Sequence, residues 1–252
     1  MIRDLAIDDV MNSKIYVKEG SAVGFKAPEE YIGDFVDVGN KDGLINGDWR
    51  VKVADPVVNE ETTGARNIAY PRVMIEAQLG ELLPGFEAVV GMVYALDLQK
   101  PVIKCYSGFN VMSCINLNIF NTDNVFQQEL LGDFEKVKVM ARNYISEKEK
   151  DVLDFQEKFD KLSSSFLTEP QLNELLGRML RQSPKTRLGS TPILGAAKLL
   201  DNNTSNYYVR PNGKFTCSRF NVYNAVTQIL TNSNDIIDRP NKTIQLTKLI
   251  MN

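Results

Sequence analysis

Hydrophobic and polar positions along this chain follow two periods, one after the other. Residues 1 to 50 set short apolar runs between turn signals: Glu19-Gly20, Asn40-Lys41-Asp42-Gly43 and Asn46-Gly47-Asp48. Glycine and asparagine tolerate the backbone that tight turns need. This punctuation therefore predicts a hairpin-rich region, with strands over Tyr31–Val38 and Trp49–Val53. Trp49, the sole tryptophan, is expected to anchor a core because of the large apolar area of its ring. Asp55–Asn67 is polar, holds Pro56 and Gly64 and has no apolar period, so it predicts an exposed loop. Three β-type runs follow, Tyr70–Leu79, Phe86–Leu96 and Val102–Phe120, the last expected to break near Ser107-Gly108. The connections Gly80–Gly85 and Asp97–Pro101 are short enough for antiparallel neighbours, which makes a meander the economical topology.

Beyond residue 122 the period lengthens. Ala141, Ile145, Lys148, Val152, Phe155, Phe159 and Leu162 step by four and three alternately among charged residues. That stripe predicts a long amphipathic helix beginning near Asp123 or Asp133, with Gly132 as a break and an end in Ser163-Ser164-Ser165. The stripe is too short and irregular for a coiled coil, so its expected place is against the sheet. Thr168-Glu169-Pro170 reads as a helix start, with Leu172, Leu175, Leu176, Met179 and Leu180 inward over Gln171–Arg181 and Ser183-Pro184 as the stop. Further helices are predicted over Pro192–Leu200 and Ser218–Leu230, the latter turning Phe220, Tyr223, Ala225 or Val226, and Leu230 inward. A hairpin is expected at Tyr207–Phe215, and the tail from Asn232 is polar, then weakly amphipathic. The fold class is α+β. A single domain of residues 1–252 is expected, with a β-rich acidic part (1–122) and a helical part (123–252) whose last third is basic.

Composition narrows the chemistry. The 252 residues include no histidine, the commonest general base and transition-metal ligand, which removes Ser-His-Asp, Cys-His and histidine-zinc chemistry together. No G-x-x-x-x-G-K-[ST] loop and no G-x-G-x-x-G are present. Cys105, Cys114 and Cys217 are odd in number and widely spaced, and read as small buried hydrophobes. The nearest match to the carboxylate set of a metal nuclease, Asp55 with Glu76-Ala77-Gln78, lacks the lysine such a site uses. Neither enzymatic activity nor a cofactor or metal is expected. The N-terminal stretch lacks a secretory apolar core, and no apolar run approaches the ~20 residues of a membrane span, so a cytoplasmic protein without membrane contact is expected.

Charge is divided unevenly. Residues 1–161 carry 18 basic and 27 acidic side chains, and residues 162–252 carry 11 and 5. Between Arg178 and Phe220 eight cations (Arg178, Arg181, Lys185, Arg187, Lys198, Arg210, Lys214, Arg219) face one acid, Asp201, with Tyr207, Tyr208, Phe215 and Phe220 interspersed. Cations that follow phosphates and rings on which bases stack are the ingredients of a single-strand groove. The expected assignment gives the phosphates to the eight cations and the bases to Tyr207, Tyr208 and Phe215. A solvated surface with core aromatics is the competing reading of the same composition. Two asparagine-bearing segments also stand out. Asn116 and Asn118 share one face of an apolar strand, and Asn221, Asn224 and Gln228 form a ridge at helical spacing. Amides such as Asn116 and Asn118 in an apolar strand are costly unless hydrogen-bonded, so they satisfy a neighbouring edge or meet a ligand, and the structural role is the expected one.

Those two segments carry a resemblance. A glycine-centred strand leading into Ser113–Phe120 (SCINLNIF), a long charged helix and then Phe220–Gln228 (FNVYNAVTQ) resemble the phage- and plasmid-encoded family of unknown function termed phage/plasmid-like protein. The likeness spans about residues 65 to 230 and rests on two short motifs in order. A tryptophan commonly precedes the family's YNA segment, where this chain has Phe220. The resemblance implies a mobile-element setting in a bacterial host and no catalytic residue. By element order alone the chain is also similar to single-strand annealing proteins of the RecT and Red-beta kind. The resulting expectation is a non-catalytic protein that binds single-stranded nucleic acid, DNA rather than RNA, and assembles as a homo-oligomer. The alternative is a module that binds a host or phage protein, such as a defence inhibitor or a structural component, through its acidic part.

Overall fold

A computed structural model describes residues 2–11, 15–16, 33, 35–37, 49–54, 67–68, 72–95, 102–112, 116–119, 125–129, 139, 142–143, 146, 148–186, 188–201, 217–233 and 235–251. The protein is α+β. Its centre is a seven-stranded antiparallel sheet of β1 (Ile2–Leu5), β3 (Trp49–Ala54), β5 (Arg72–Leu83), β6 (Phe86–Ala95), β7 (Val102–Val111), β8 (Asn116–Asn118) and β9 (Val125–Glu129). The first five lie in that order, and β8 and β9 share the outer edge of β7, at Phe109–Val111 and Val102–Tyr106 respectively. A short helix, α1 (Ile7–Met11), follows β1, and β2 (Ile15–Tyr16) pairs with β4 (Asn67–Ile68) as a separate ladder.

The expected meander is present as β5–β6–β7, with altered ends. β5 runs past Gly80 to Leu83 because a register shift between Gln78 and Glu81 absorbs Gly80 at φ +88°, leaving Pro84-Gly85 as the turn. The Glu81 carboxylate accepts the Gly85 N–H (2.6 Å) and closes that turn. The break expected at Ser107-Gly108 falls instead after Val111. Gly108 stays in the strand, paired with Val89 of β6, and β8 passes so close that a Cβ there would lie 2.7 Å from the Asn118 carbonyl. Two further expectations are corrected. Within Tyr31–Val38, read as a strand, Gly33 and Phe35–Asp37 are helical, and Phe35 packs edge-on against Trp49 with ring centroids 5.7 Å apart. Val125–Glu129 is a strand, so no helix begins near Asp123; β-forming residues there pair with the free edge of β7.

Five helices complete the described fold: α2 (Lys148–Ser164), α3 (Glu169–Gln182), α4 (Thr191–Asp201), α5 (Arg219–Thr231) and α6 (Arg239–Met251). α2 ends where the serines predict, and its stripe of Val152, Phe155, Phe159 and Leu162 faces inward. Phe155 and Phe159 meet Phe86 of the sheet at 5.1 and 4.9 Å, and Phe159 meets Phe220 of α5 at 4.7 Å. Such edge-to-face pairs add about 0.5–1.5 kcal/mol each beyond area burial. α3 opens at Thr168, whose backbone N–H (2.9 Å) and hydroxyl (3.0 Å) both donate to Gln171 Oε1. α5 opens at Ser218, whose hydroxyl oxygen accepts from the Asn221 N–H at 3.1 Å. The two caps adjoin a short ladder, β10 (Phe166–Leu167) paired with β11 (Cys217–Ser218): Thr168 follows β10, and Ser218 closes β11.

α6 was legible only as a weakly amphipathic tail, yet it joins the two cores. Its Ile244 packs with Ile236, Ile237, Met74, Val93 and Tyr106 on one sheet face, while Leu246, Leu249 and Ile250 enter the core that Phe86, Phe109 and α2–α5 build on the other.

Candidate nucleic-acid interface

Two polar constellations arise in this frame, one sealed and one open. The sealed one starts from strand alternation. Arg50, Glu76, Gly91 and Tyr106 fall in one cross-strand row, and Lys52, Met74, Val93 and Lys104 in the next. Gly91 lets the Tyr106 ring cross its strand, since a Cβ there would lie 2.1 Å from the ring. The Tyr106 hydroxyl donates to Glu76 Oε1 (2.9 Å), and Asn110 Nδ2 donates to Oε2 (3.3 Å). Lys104 Nζ donates to Asp238 Oδ1 (2.6 Å) and the Ile237 carbonyl (2.9 Å), which ties the start of α6 to the sheet. Arg239, the first residue of α6, donates to the Thr231 carbonyl (2.9 Å). Burial pushes its guanidinium below the ordinary value, and the nearby Glu76 carboxylate opposes the shift. Burial likewise raises the Tyr106 hydroxyl, with the neighbouring Glu76 charge in support. Glu76 is 4% exposed, Lys104 2% and Arg239 3%, so these charges compensate one another away from solvent. Of the nuclease-like set, Asp55 lies outside the described residues, and Gln78 bonds Glu87 and Arg50 in its hydrogen-bonded amide orientation. Among the described residues no group of three acids, cysteines or histidines could hold a metal.

The open constellation lies at the helical end. Leu167, Gln171, Glu174, Leu175, Arg178 and Arg219 line a half-open cleft of about 200 Å³. The β10–β11 ladder explains how residues so far apart in sequence meet. It sets Phe166 opposite Ser218, and the Arg219 N–H donates to the Ser165 carbonyl (2.9 Å). Arg219 therefore starts α5 beside the entry to α3. Its Nη1 donates to the Ile250 carbonyl in the last turn of α6 (2.7 Å), while Nε is buried with no acceptor among the described residues. Arg178 stands one turn after Glu174 and two after Gln171, so the three form a ridge along the cleft.

The predicted site residues divide accordingly. Arg178 and Arg219 share the cleft; Arg181, Lys185 and Lys198 are exposed and do not line it. Lys198 stands opposite the stripe of Ile193, Ala196 and Leu200 that α4 buries. Arg187, Tyr207, Tyr208, Arg210, Lys214 and Phe215, with the hairpin expected at Tyr207–Phe215, lie outside the described residues. Phe220 joins the Phe86–Phe159 cluster in the core. One ring was missed: Phe166, 65% exposed in β10 directly before Leu167 of the cleft. Its sequence signal is weak, a lone aromatic between three serines and a cap. Gln171 was read only as the first residue of the helix Gln171–Arg181.

The asparagine segments meet each other. Asn116 Nδ2 donates to Asn224 Oδ1 (2.8 Å), and Asn118 Nδ2 donates to the carbonyls of Phe109 (3.1 Å) and Asn116 (2.8 Å). These amides hold β8 to β7 and to α5, the structural role expected of them. No helix is long and apolar enough to cross a membrane among the described residues. No family model, curated protein or solved structure matches the chain.

Proposed function

We propose that this protein binds single-stranded DNA without catalysing a reaction on it, in the replication or recombination of a phage or plasmid, and that it works as an oligomer. One observation carries the reading: Arg178 and Arg219, from different helices, line a single open cleft. Guanidinium groups donate bidentately to phosphate oxygens and stay charged at every physiological pH. Arg181 and Lys185 continue the exposed positive charge from the same helix into the turn after it, and Phe166 offers an exposed ring of the kind on which bases stack. The bond from Asn116 to Asn224 joins the described part of the first motif of the phage/plasmid resemblance to the second.

Fluorescence anisotropy of the full chain with a labelled oligothymidylate tests this. Affinity is expected to fall with salt at a slope of about −0.7 for each phosphate neutralised. Arg178→Glu is expected to weaken binding by roughly tenfold or more. Binding indifferent to both would overturn the proposal. Host material that stays bound to the purified protein after nuclease digestion would point instead to a protein partner.

A further inference from the structure

The acid in the cleft is the feature that phosphate binding leaves unexplained. Glu174 stands one helical turn before Arg178 and lines the same cleft. Beside a phosphate a carboxylate is a cost wherever the phosphate sits, and an exposed ion pair with an arginine at i,i+4 gains little. A single strand has other groups to offer, because its unpaired bases expose their Watson–Crick edges. An ionised carboxylate only accepts, and its two oxygens take two adjacent donors at once. Gln171 supplies the complement. Its Oε1 is occupied twice, by the Thr168 N–H (2.9 Å) and the Thr168 hydroxyl (3.0 Å). That fixes the amide and leaves Nε2 as the group that donates to a ligand.

Gln171 and Glu174 are three residues apart in α3, neighbours on one helix face. Together they present one donor and then two acceptors along the cleft. Guanine is the DNA base whose edge matches, with O6 as acceptor beside N1–H and the N2 amino group as adjacent donors. Adenine, cytosine and thymine each offer a single donor group on that edge, so one carboxylate oxygen goes unmet. Resting on the strand-binding reading above, we infer that the cleft reads guanine in a single strand. Glu174 accepts from N1–H and the N2 amino group, Gln171 Nε2 donates to O6, Leu167 and Leu175 take the apolar flank of the nucleotide, and Arg178 and Arg219 hold the flanking phosphates. Gln171 and Arg178 lie about 10 Å apart along the helix axis, the reach of one nucleotide from base edge to phosphate. The anchor from Arg219 Nη1 to the Ile250 carbonyl (2.7 Å) holds the second guanidinium in place.

Competition anisotropy tests this with oligothymidylates of one length that carry thymine, adenine, cytosine, guanine or hypoxanthine at one central position. The guanine strand is expected to bind roughly tenfold tighter than the thymine strand. Hypoxanthine keeps O6 and N1–H but lacks the N2 amino group, and is expected to lose most of that gain. Glu174→Gln is expected to abolish the preference while leaving affinity for the thymine strand undiminished, a result that damage to the fold does not give. Gln171→Glu keeps an acceptor for the Thr168 N–H and removes the donor, so the ratio of guanine to thymine affinity is expected to fall with the cap intact. Equal, salt-dependent affinity of the wild-type protein for all the strands, or a preference that survives in Glu174→Gln, would overturn the inference and leave strand binding standing. Failure of the wild-type protein to bind any of them would remove both.

Discussion

The sheet face and the helical cleft use the same residue types for opposite ends. Under α6, Lys104 and Arg239 are almost wholly buried: Lys104 donates to Asp238 and Ile237 and Arg239 Nη2 to Thr231, while Arg239 Nε has no acceptor among the described residues and the Glu76 carboxylate lies nearby. At the cleft, Arg178 and Arg219 are only partly buried and stand beside two leucines and one acid. Desolvation separates the two cases. A charge taken out of water is tolerable only with its partners in place, so a sealed network locks elements together, whereas a half-exposed guanidinium retains water that a ligand can displace. Basic content alone therefore says little about ligand binding; accessible basic content says more.

Mutations that break the contrast are expected to differ in size and in kind. Glu76→Ala removes the acceptor of Tyr106 and Asn110 and the carboxylate near Arg239. Its expected cost is about 3–5 kcal/mol in urea unfolding, and a loss below 1 kcal/mol would mean that the network does not stabilise the fold. Gly91→Ala, with a Cβ 2.1 Å from the Tyr106 ring, forces that ring aside and is expected to cost about 1–3 kcal/mol. The double variant Gly91→Ala/Tyr106→Ala checks the cause: with the ring gone the added methyl no longer meets it, so the two losses should not add. Ser218→Ala deletes the cap of α5 and is expected to cost about 1 kcal/mol in the same assay. Arg181→Gln, at an exposed position, is expected to leave stability within about 0.5 kcal/mol and to reduce the salt slope of DNA binding by about one phosphate contact. If Arg181→Gln destabilised the protein as much as Glu76→Ala, the division between sealed and open charge would fail.

Several elements were legible because each carries its signal locally. The strand at Trp49–Val53, the meander strands, the end of α2 in the serines, the cap Thr168 and a helix start near Ser218 all follow from apolar period and turn chemistry. Other elements depend on distant partners. Val125–Glu129 is a strand because β7 leaves an edge open, and position 108 has no room for a Cβ because β8 runs against it. α6 has no clean stripe since Arg239, Thr243 and Thr247 occupy buried positions. Arg239 Nη2 is met by the Thr231 carbonyl, and the two threonine hydroxyls by α6's own carbonyls and by that of Ile119. The cleft was visible as excess positive charge after residue 161, but not as a pairing of Arg178 with Arg219, nor as a neighbour of Phe166.

What the sequence determined by itself is the change from two-residue to helical period, the division of charge along the chain and the chemistry closed off by the lack of histidine. These depend on composition and on neighbours a few residues apart. Tertiary structure alone decided which charges are sealed and which remain open. Lys104 and Arg239 are ordinary cations in the sequence, and only their burial beside Asp238 and Glu76 makes them structural; Arg178 and Arg219 meet only because the β10–β11 ladder sets residue 166 opposite residue 218. Desolvation depends on what packs around a group in space, and no local pattern encodes that.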